Sequence, residues 1–219
     1  MRLLAIDTST SAITVSAHGG PDWATASVLD ARAHAEHVAP LVERVLGQAG
    51  LTPADITDVV VGNGPGPFTG LRVGMVTGLV FAHARGIPVH GVCSLDALAQ
   101  DAAEQVGGGE FVVATDARRK EVYWARYAGG SGSVRRLTDP AVDRPADLPE
   151  EVRRLPTAGR GPVLYPDLFP TPVAVLDVSA GSLGRLAEER LAAGEVLPVE
   201  PMYLRRPDAL TTAERGAGA

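Results

Sequence analysis

The sequence predicts an α/β protein built from two similar halves, and three observations carry the prediction. Short apolar runs alternate with stretches of helical periodicity. A glycine triple, Gly107-Gly-Gly109, interrupts that alternation near the middle of the 219-residue chain. After it the opening pattern returns: strand, Asp, polar turn, strand, Gly-Gly, strand.

In the first half, residues 3–6 form an apolar strand ending in the polar cluster Asp7-Thr-Ser-Thr10. Residues 13–17 and 23–29 read as two further strands around the turn Gly19-Gly20-Pro21, a three-stranded meander. Val38, Leu41, Val42, Val45, Leu46 and Ala49 then fall on one helical stripe, with Pro40 inside it and Gly50 after it. Residues 59–61 are a β-branched strand, and 69–85 a second helix capped by Thr69 and stopped by Gly86 and Pro88. Residues 88–92 form another strand, and Ser94 stands as the N-cap of a third helix.

In the second half, residues 111–115 lead into Asp116, with strands at 122–127 and 134–137 around Gly129-Gly130. Proline-rich sequence follows, then a strand at 173–176 and a helix over 179–192. Two αβ halves, each delivering an Asp from its first strand, describe an actin-like duplicated architecture, with subdomains at 1–106 and 107–219. A single doubly wound sheet is the alternative. In the duplicated class a nucleotide sits between the halves, off the carboxyl ends of the strands.

Composition narrows the chemistry. A net charge of −6 argues against a broad nucleic-acid-binding face, and Lys120 is the only lysine. The single Cys93 excludes an internal disulfide and lies in an apolar run, where it reads as a small buried hydrophobe. The opening residues show neither a signal peptide nor a membrane span, which points to the cytoplasm.

The loop Gly62-Asn-Gly-Pro-Gly-Pro-Phe-Thr-Gly-Leu-Arg72 joins a strand to a helix. Gly64, Gly66 and Thr69 there could offer N–H groups to an anion, but no Lys-Ser/Thr pair completes a P-loop. Asp7, Ser9, Thr10 and Asp116 are the residues a vestigial nucleotide site would use. In the following helix Gly70, Gly74, Gly78 and Ala82 recur every four residues, while Leu71, Val73, Met75, Val76, Leu79, Val80 and Phe81 make the rest apolar. Each interior glycine costs about 0.5–1 kcal/mol relative to alanine, so the row calls for close approach by another backbone. His34 and His37 lie three apart without a third ligand, so they read as solvated or capping residues and no metal site is expected. No residues suggest a nucleophile or a general base.

The segment from Gly62 to Gly74 resembles the hallmark of the TsaB family, also called YeaZ. Further agreement comes from Ile6-Asp-Thr-Ser9, His34-Ala-Glu-His-Val-Ala-Pro-Leu41, Gly91-Val-Cys-Ser-Leu95, Asp116-Ala-Arg-Arg-Lys-Glu-Val-Tyr123 and Pro201-Met-Tyr-Leu-Arg205. The resemblance implies an actin-like, non-catalytic scaffold in bacterial tRNA threonylcarbamoyladenosine biosynthesis. It implies a heterodimer with the catalytic subunit TsaD, joined by the ATPase TsaE, with self-association when alone and tRNA met only indirectly. ATP and magnesium would serve the complex and not this chain. Contact helices would span the two striped segments, through Val38, Leu41, Val42, Val45, Gly70, Leu71, Gly74, Gly78 and Phe81. The paired-histidine helix and late glycine cluster of TsaD-like proteins are missing, and Pro67 stands where family members often carry Ser. The competing enzyme reading is a stand-alone actin-fold ATPase or kinase using Asp7 and Asp116.

Overall fold

A computed structural model describes residues 1–20, 22–30, 34–130 and 133–205. The tail after Pro207, whose Ala-, Thr- and Gly-rich sequence predicts mobility, lies outside the described residues, as does Arg206. Strands β1 (Leu3–Asp7), β2 (Ala12–His18) and β3 (Ala24–Leu29) form an antiparallel meander. Helix α1 (His34–Gln48) leads to β4 (Asp58–Gly62), helix α2 (Phe68–Arg85) to β5 (Val89–Val92), and α3 (Ser94–Val106) closes the half. β4 pairs parallel to β1, and β5 to β4, so the sheet order is β3-β2-β1-β4-β5. The central β1 is buried at all five positions, which is why it reads as an unbroken apolar run.

The second half repeats this plan. β6 (Gly109–Asp116) and β7 (Val122–Gly130) are antiparallel, and β8 (Ser133–Arg136) and β9 (Ala141–Asp143) both pair with β7. The single strand expected at 134–137 is thus divided: Thr138 Oγ1, rather than a ladder carbonyl, receives the Arg126 N–H at 3.0 Å. After the short helix α4 (Glu150–Arg153), β10 (Thr157–Ala158) lies parallel to β6, as β4 does to β1. Helices α5 (Gly161–Leu164) and α6 (Ala180–Ala192) follow. In place of the expected strand at 173–176, residues 171–175 run beside β10 with the bonds Thr157 N–H to Thr171 O and Val173 N–H to Thr157 O. Pro170 and Pro172 lack the donors a full strand needs. The chain therefore has two sheets and the duplicated, actin-like fold, not one doubly wound sheet.

Three apolar layers hold these elements. α1 and α2 cover the outer face of the first sheet, where Val38, Val45 and Leu71 meet Leu4, Ile6 and Val61. Val112, Val122, Val152 and Phe169 cover the outer face of the second. Between the sheets, Leu3, Ala5 and Val60 share a core with Phe111, Val113 and Tyr127 through α3 and α6. α6 packs on β1, β2, β4 and β5, whereas α3 packs on β6, β7 and β8. Each half's last helix thus lies on the other half's sheet. Among the described residues no helix is long and apolar enough to cross a membrane.

Candidate functional site

β4 delivers the glycine loop directly onto the β1–β2 turn. A Cβ on Gly62 would stand 1.8 Å from Asp7 Oδ2, and one on Gly66 would stand 2.7 Å from the Ser9 carbonyl oxygen. Only glycine permits either approach. The Gly64–Pro65 bond is cis, and Gly64 has φ +92°. Ser94 N–H donates to Gly64 O at 2.8 Å, pinning the loop to the start of α3.

Asp7 lies inside this junction with no exposed surface. Its Oδ1 accepts from Ser9 N–H at 2.8 Å and Ser9 Oγ at 2.7 Å, and its Oδ2 accepts from Ser94 Oγ at 2.6 Å. Burial raises the carboxyl pKa, and the Ser94 and Ser9 hydrogen bonds oppose that rise. Ser94 spends its hydroxyl on Asp7 rather than on capping α3, which has Cys93 at its N-cap. Asp7 acts as an internal tie between β1, the loop and α3. Both of its oxygens are engaged within the chain.

Asp116, its counterpart in β6, lies elsewhere. It accepts Arg118 N–H at 2.7 Å and the Arg118 guanidinium at 2.8 Å. With Thr10, Pro67, Arg160 and Asp177 it lines the cleft where the two halves' strands end. That cleft holds about 10 Å³, room for a single water. Arg160 closes it with a bidentate pair to Asp177 at 2.8 and 2.6 Å. Asp7, Ser9, Gly64 and Gly66 are buried and are not among its lining residues, and Thr69 is exposed without capping α2, whose N-cap is Pro67. The residues present do not fit a nucleotide with its magnesium. Among the described residues no group of three or more His, Cys, Asp or Glu could hold a metal; the His34 side chain lies outside them, and His37 meets Asp30 at 3.4 Å.

The glycine row of α2 turns inward. Thr8 Oγ1 donates to Gly70 O at 2.6 Å and accepts Gly74 N–H at 2.8 Å. A Cβ on Gly74 would meet Thr8 Oγ1 at 2.5 Å, and one on Gly78 would meet Val61 Cγ1 at 2.3 Å. The neighbour whose approach the glycines allow is the chain's own sheet. This corrects the expected contact set: Val38, Leu41, Val42, Val45, Gly70, Leu71, Gly74 and Gly78 are buried in the outer layer of the first half, and Phe81 is half-buried against it. The face that remains is opposite, two positions off the glycine row. Val76, Leu79 and Val80 are 54%, 42% and 62% exposed there. The four-residue period of the glycines contained that signal, since positions 72, 76 and 80 lie across the helix from 70, 74 and 78.

Comparison with known proteins places this arrangement among relatives. Residues 28–191 match the family described as TsaD, tRNA N6-adenosine threonylcarbamoyltransferase. The tRNA threonylcarbamoyladenosine biosynthesis protein TsaB of Escherichia coli K12 is 32% identical, covering 94% of this chain and 95% of that protein. An uncharacterized protein of Mycobacterium tuberculosis H37Rv is 45% identical, covering 94% of this chain and 93% of its own length. The solved structure of YeaZ from Pseudomonas aeruginosa superposes with a TM-score of 0.80 at 31% identity, over 93% of this chain and 99% of that one.

Proposed function

The chain belongs to the TsaB (YeaZ) family and takes part in threonylcarbamoyladenosine biosynthesis in tRNA, and from that membership we propose that it acts as a non-catalytic scaffold for a TsaD-type subunit. One observation carries the reading: the outward face of α2, with Val76, Leu79 and Val80 exposed on a helix whose other side is fully engaged. A contiguous apolar stripe of this kind marks an interaction surface more often than a solvated one. The face serves the TsaD-type subunit in a heterodimer within the cytoplasm, and a second copy of this chain when that subunit is lacking. A TsaE-type ATPase completes the assembly and uses ATP and magnesium.

The state of the two aspartates supports a scaffold over a stand-alone ATPase or kinase. Such an enzyme needs Asp7 and Asp116 to face one ligand, and Asp7 has its oxygens occupied by Ser9 and Ser94. Gel filtration with light scattering, on the chain mixed with its cognate TsaD-type subunit, tests the proposal. The unaltered chain co-elutes with it; Val76→Glu/Val80→Glu abolishes co-elution while the far-UV circular dichroism melt stays within a few degrees. Undiminished co-elution of that variant sinks the assignment of the α2 face.

A further inference from the structure

Thr115, the penultimate residue of β6, is 3% exposed, and its Oγ1 meets no donor or acceptor among the described residues. The pleat of β6 explains where that hydroxyl lies. Phe111 and Val113 belong to the core between the two sheets, whereas Val112 and Ala114 belong to the outer layer of the second half. Side chains alternate along a strand, so Thr115 continues the inward row of Phe111 and Val113. At this end of β6 the row leaves the apolar core and enters the cleft between the strand ends, which Thr115 lines.

A buried hydroxyl without a partner bears the full cost of its desolvation. Valine would give the same branched shape and the same preference for a strand without that cost, so the hydroxyl calls for a partner. The cleft is built to supply one. The first half contributes Thr10 and Ser11 from the β1–β2 turn, and the second contributes Asp116, Arg160 and Asp177. The charged groups on its wall pair off, Asp116 with Arg118 and Asp177 with Arg160, which leaves no excess of either sign to draw in an ion. The volume of about 10 Å³ admits one water and no larger solute.

We propose that the cleft is a binding site for a single ordered water, held by Thr115 Oγ1 and bridging the two halves. A buried water makes about three hydrogen bonds, and the lining hydroxyls and carboxylates of both halves provide for them. The molecule stands where a duplicated architecture of this kind would hold a ligand, off the carboxyl ends of the strands. Its work is to join the end of β6 to the β1–β2 turn, on the side of the molecule that the shared apolar core does not reach. The inference concerns a joint inside the chain and does not depend on the scaffold reading.

A high-resolution crystal structure of the unaltered chain should show a water oxygen at about 3 Å from Thr115 Oγ1. Thermal melting of Thr115→Val gives a second reading, because its sign depends on whether the hydroxyl has a partner. If it holds a water, valine removes one of that water's bonds and the melting temperature falls by about 2–4 °C. If it holds nothing, valine relieves the desolvation and the melting temperature rises. An equal or higher melting temperature overturns the proposal. So does the lack of water density beside Thr115 in the unaltered chain, or an ion in its place, told from water by its anomalous scattering. Thr115→Ser keeps the hydroxyl and serves if the valine variant does not fold. Its crystal structure should retain the water, and a dry serine cleft would also overturn the proposal.

Discussion

Gly78 on α2 and Val61 on β4 approach so closely that a Cβ on the glycine would stand 2.3 Å from Val61 Cγ1. Helix and sheet are set at a separation that only glycine tolerates. Gly78→Ala therefore gains about 1 kcal/mol in helix propensity and meets an overpacking cost of about 1–3 kcal/mol. The expected result is a net loss near 1 kcal/mol, read as a lower urea midpoint. Gly47, on the exposed side of α1, has nothing within 4 Å of its Cβ position. Gly47→Ala should accordingly stabilise by about 0.5 kcal/mol. Equal stabilisation by both substitutions would show that the inward row is not tight.

Asp7 gives a pH dependence of unusual sign. Its pKa in the folded chain is raised above the ordinary value of 3.8, chiefly by burial. In the window between the two values the native state binds more protons than the unfolded one, so stability falls as pH rises. The contribution is complete below the ordinary value and is lost as pH climbs through the raised one. Asp7→Asn cannot titrate. Urea denaturation of both proteins from about pH 4 to pH 7 should show the unaltered chain losing stability relative to the variant. A constant difference across that range would contradict the burial argument.

The elements were legible in the sequence to different depths for physical reasons. β1 and the repeated strand–Asp–turn pattern were readable because an unbroken apolar run and the turn chemistry that ends it are local signals. The direction of the glycine row was not. Periodicity places Gly70, Gly74 and Gly78 on one line, but Thr8 and Val61, which occupy the space they leave, lie far off in sequence. Matching positions likewise suggested that Asp7 and Asp116 share a ligand, whereas Ser94, 87 residues away, takes up Asp7 Oδ2. The exchange of α3 and α6 between sheets was equally hidden. An apolar helical face does not say which sheet covers it.

Cys93 reads in the sequence as a buried hydrophobe, and the structure places it in the central core at 3% exposure. Burial, with Asp96 nearby, pushes its thiol up to about 12. The thiolate is the reactive form, so at pH 8 the native chain should react with a disulfide reagent only at the rate of its opening. Denaturant should accelerate the reaction by orders of magnitude. Fast stoichiometric labelling of the folded protein would refute this.

Asp96 joins the halves more directly than any apolar contact. It stands in the first turn of α3, 5% exposed, and accepts from Tyr127 Oη at 2.9 Å, Arg136 at 3.1 Å and Arg190 at 2.8 Å. Burial keeps the Tyr127 phenol well above its ordinary pKa, so it remains a donor. One carboxylate of the first half thus satisfies the sheet and the last helix of the second. Asp96→Ala leaves the tyrosine unpaired inside the core, although the two arginines, about a third exposed, can turn to water. The loss should therefore fall at the lower end of the ~3–5 kcal/mol typical of a broken buried pair. Because α3 and α6 are shared, both halves should weaken together, with fluorescence and circular dichroism following one urea transition. Two separated transitions in the variant would mean that the crossed helices do not couple the halves.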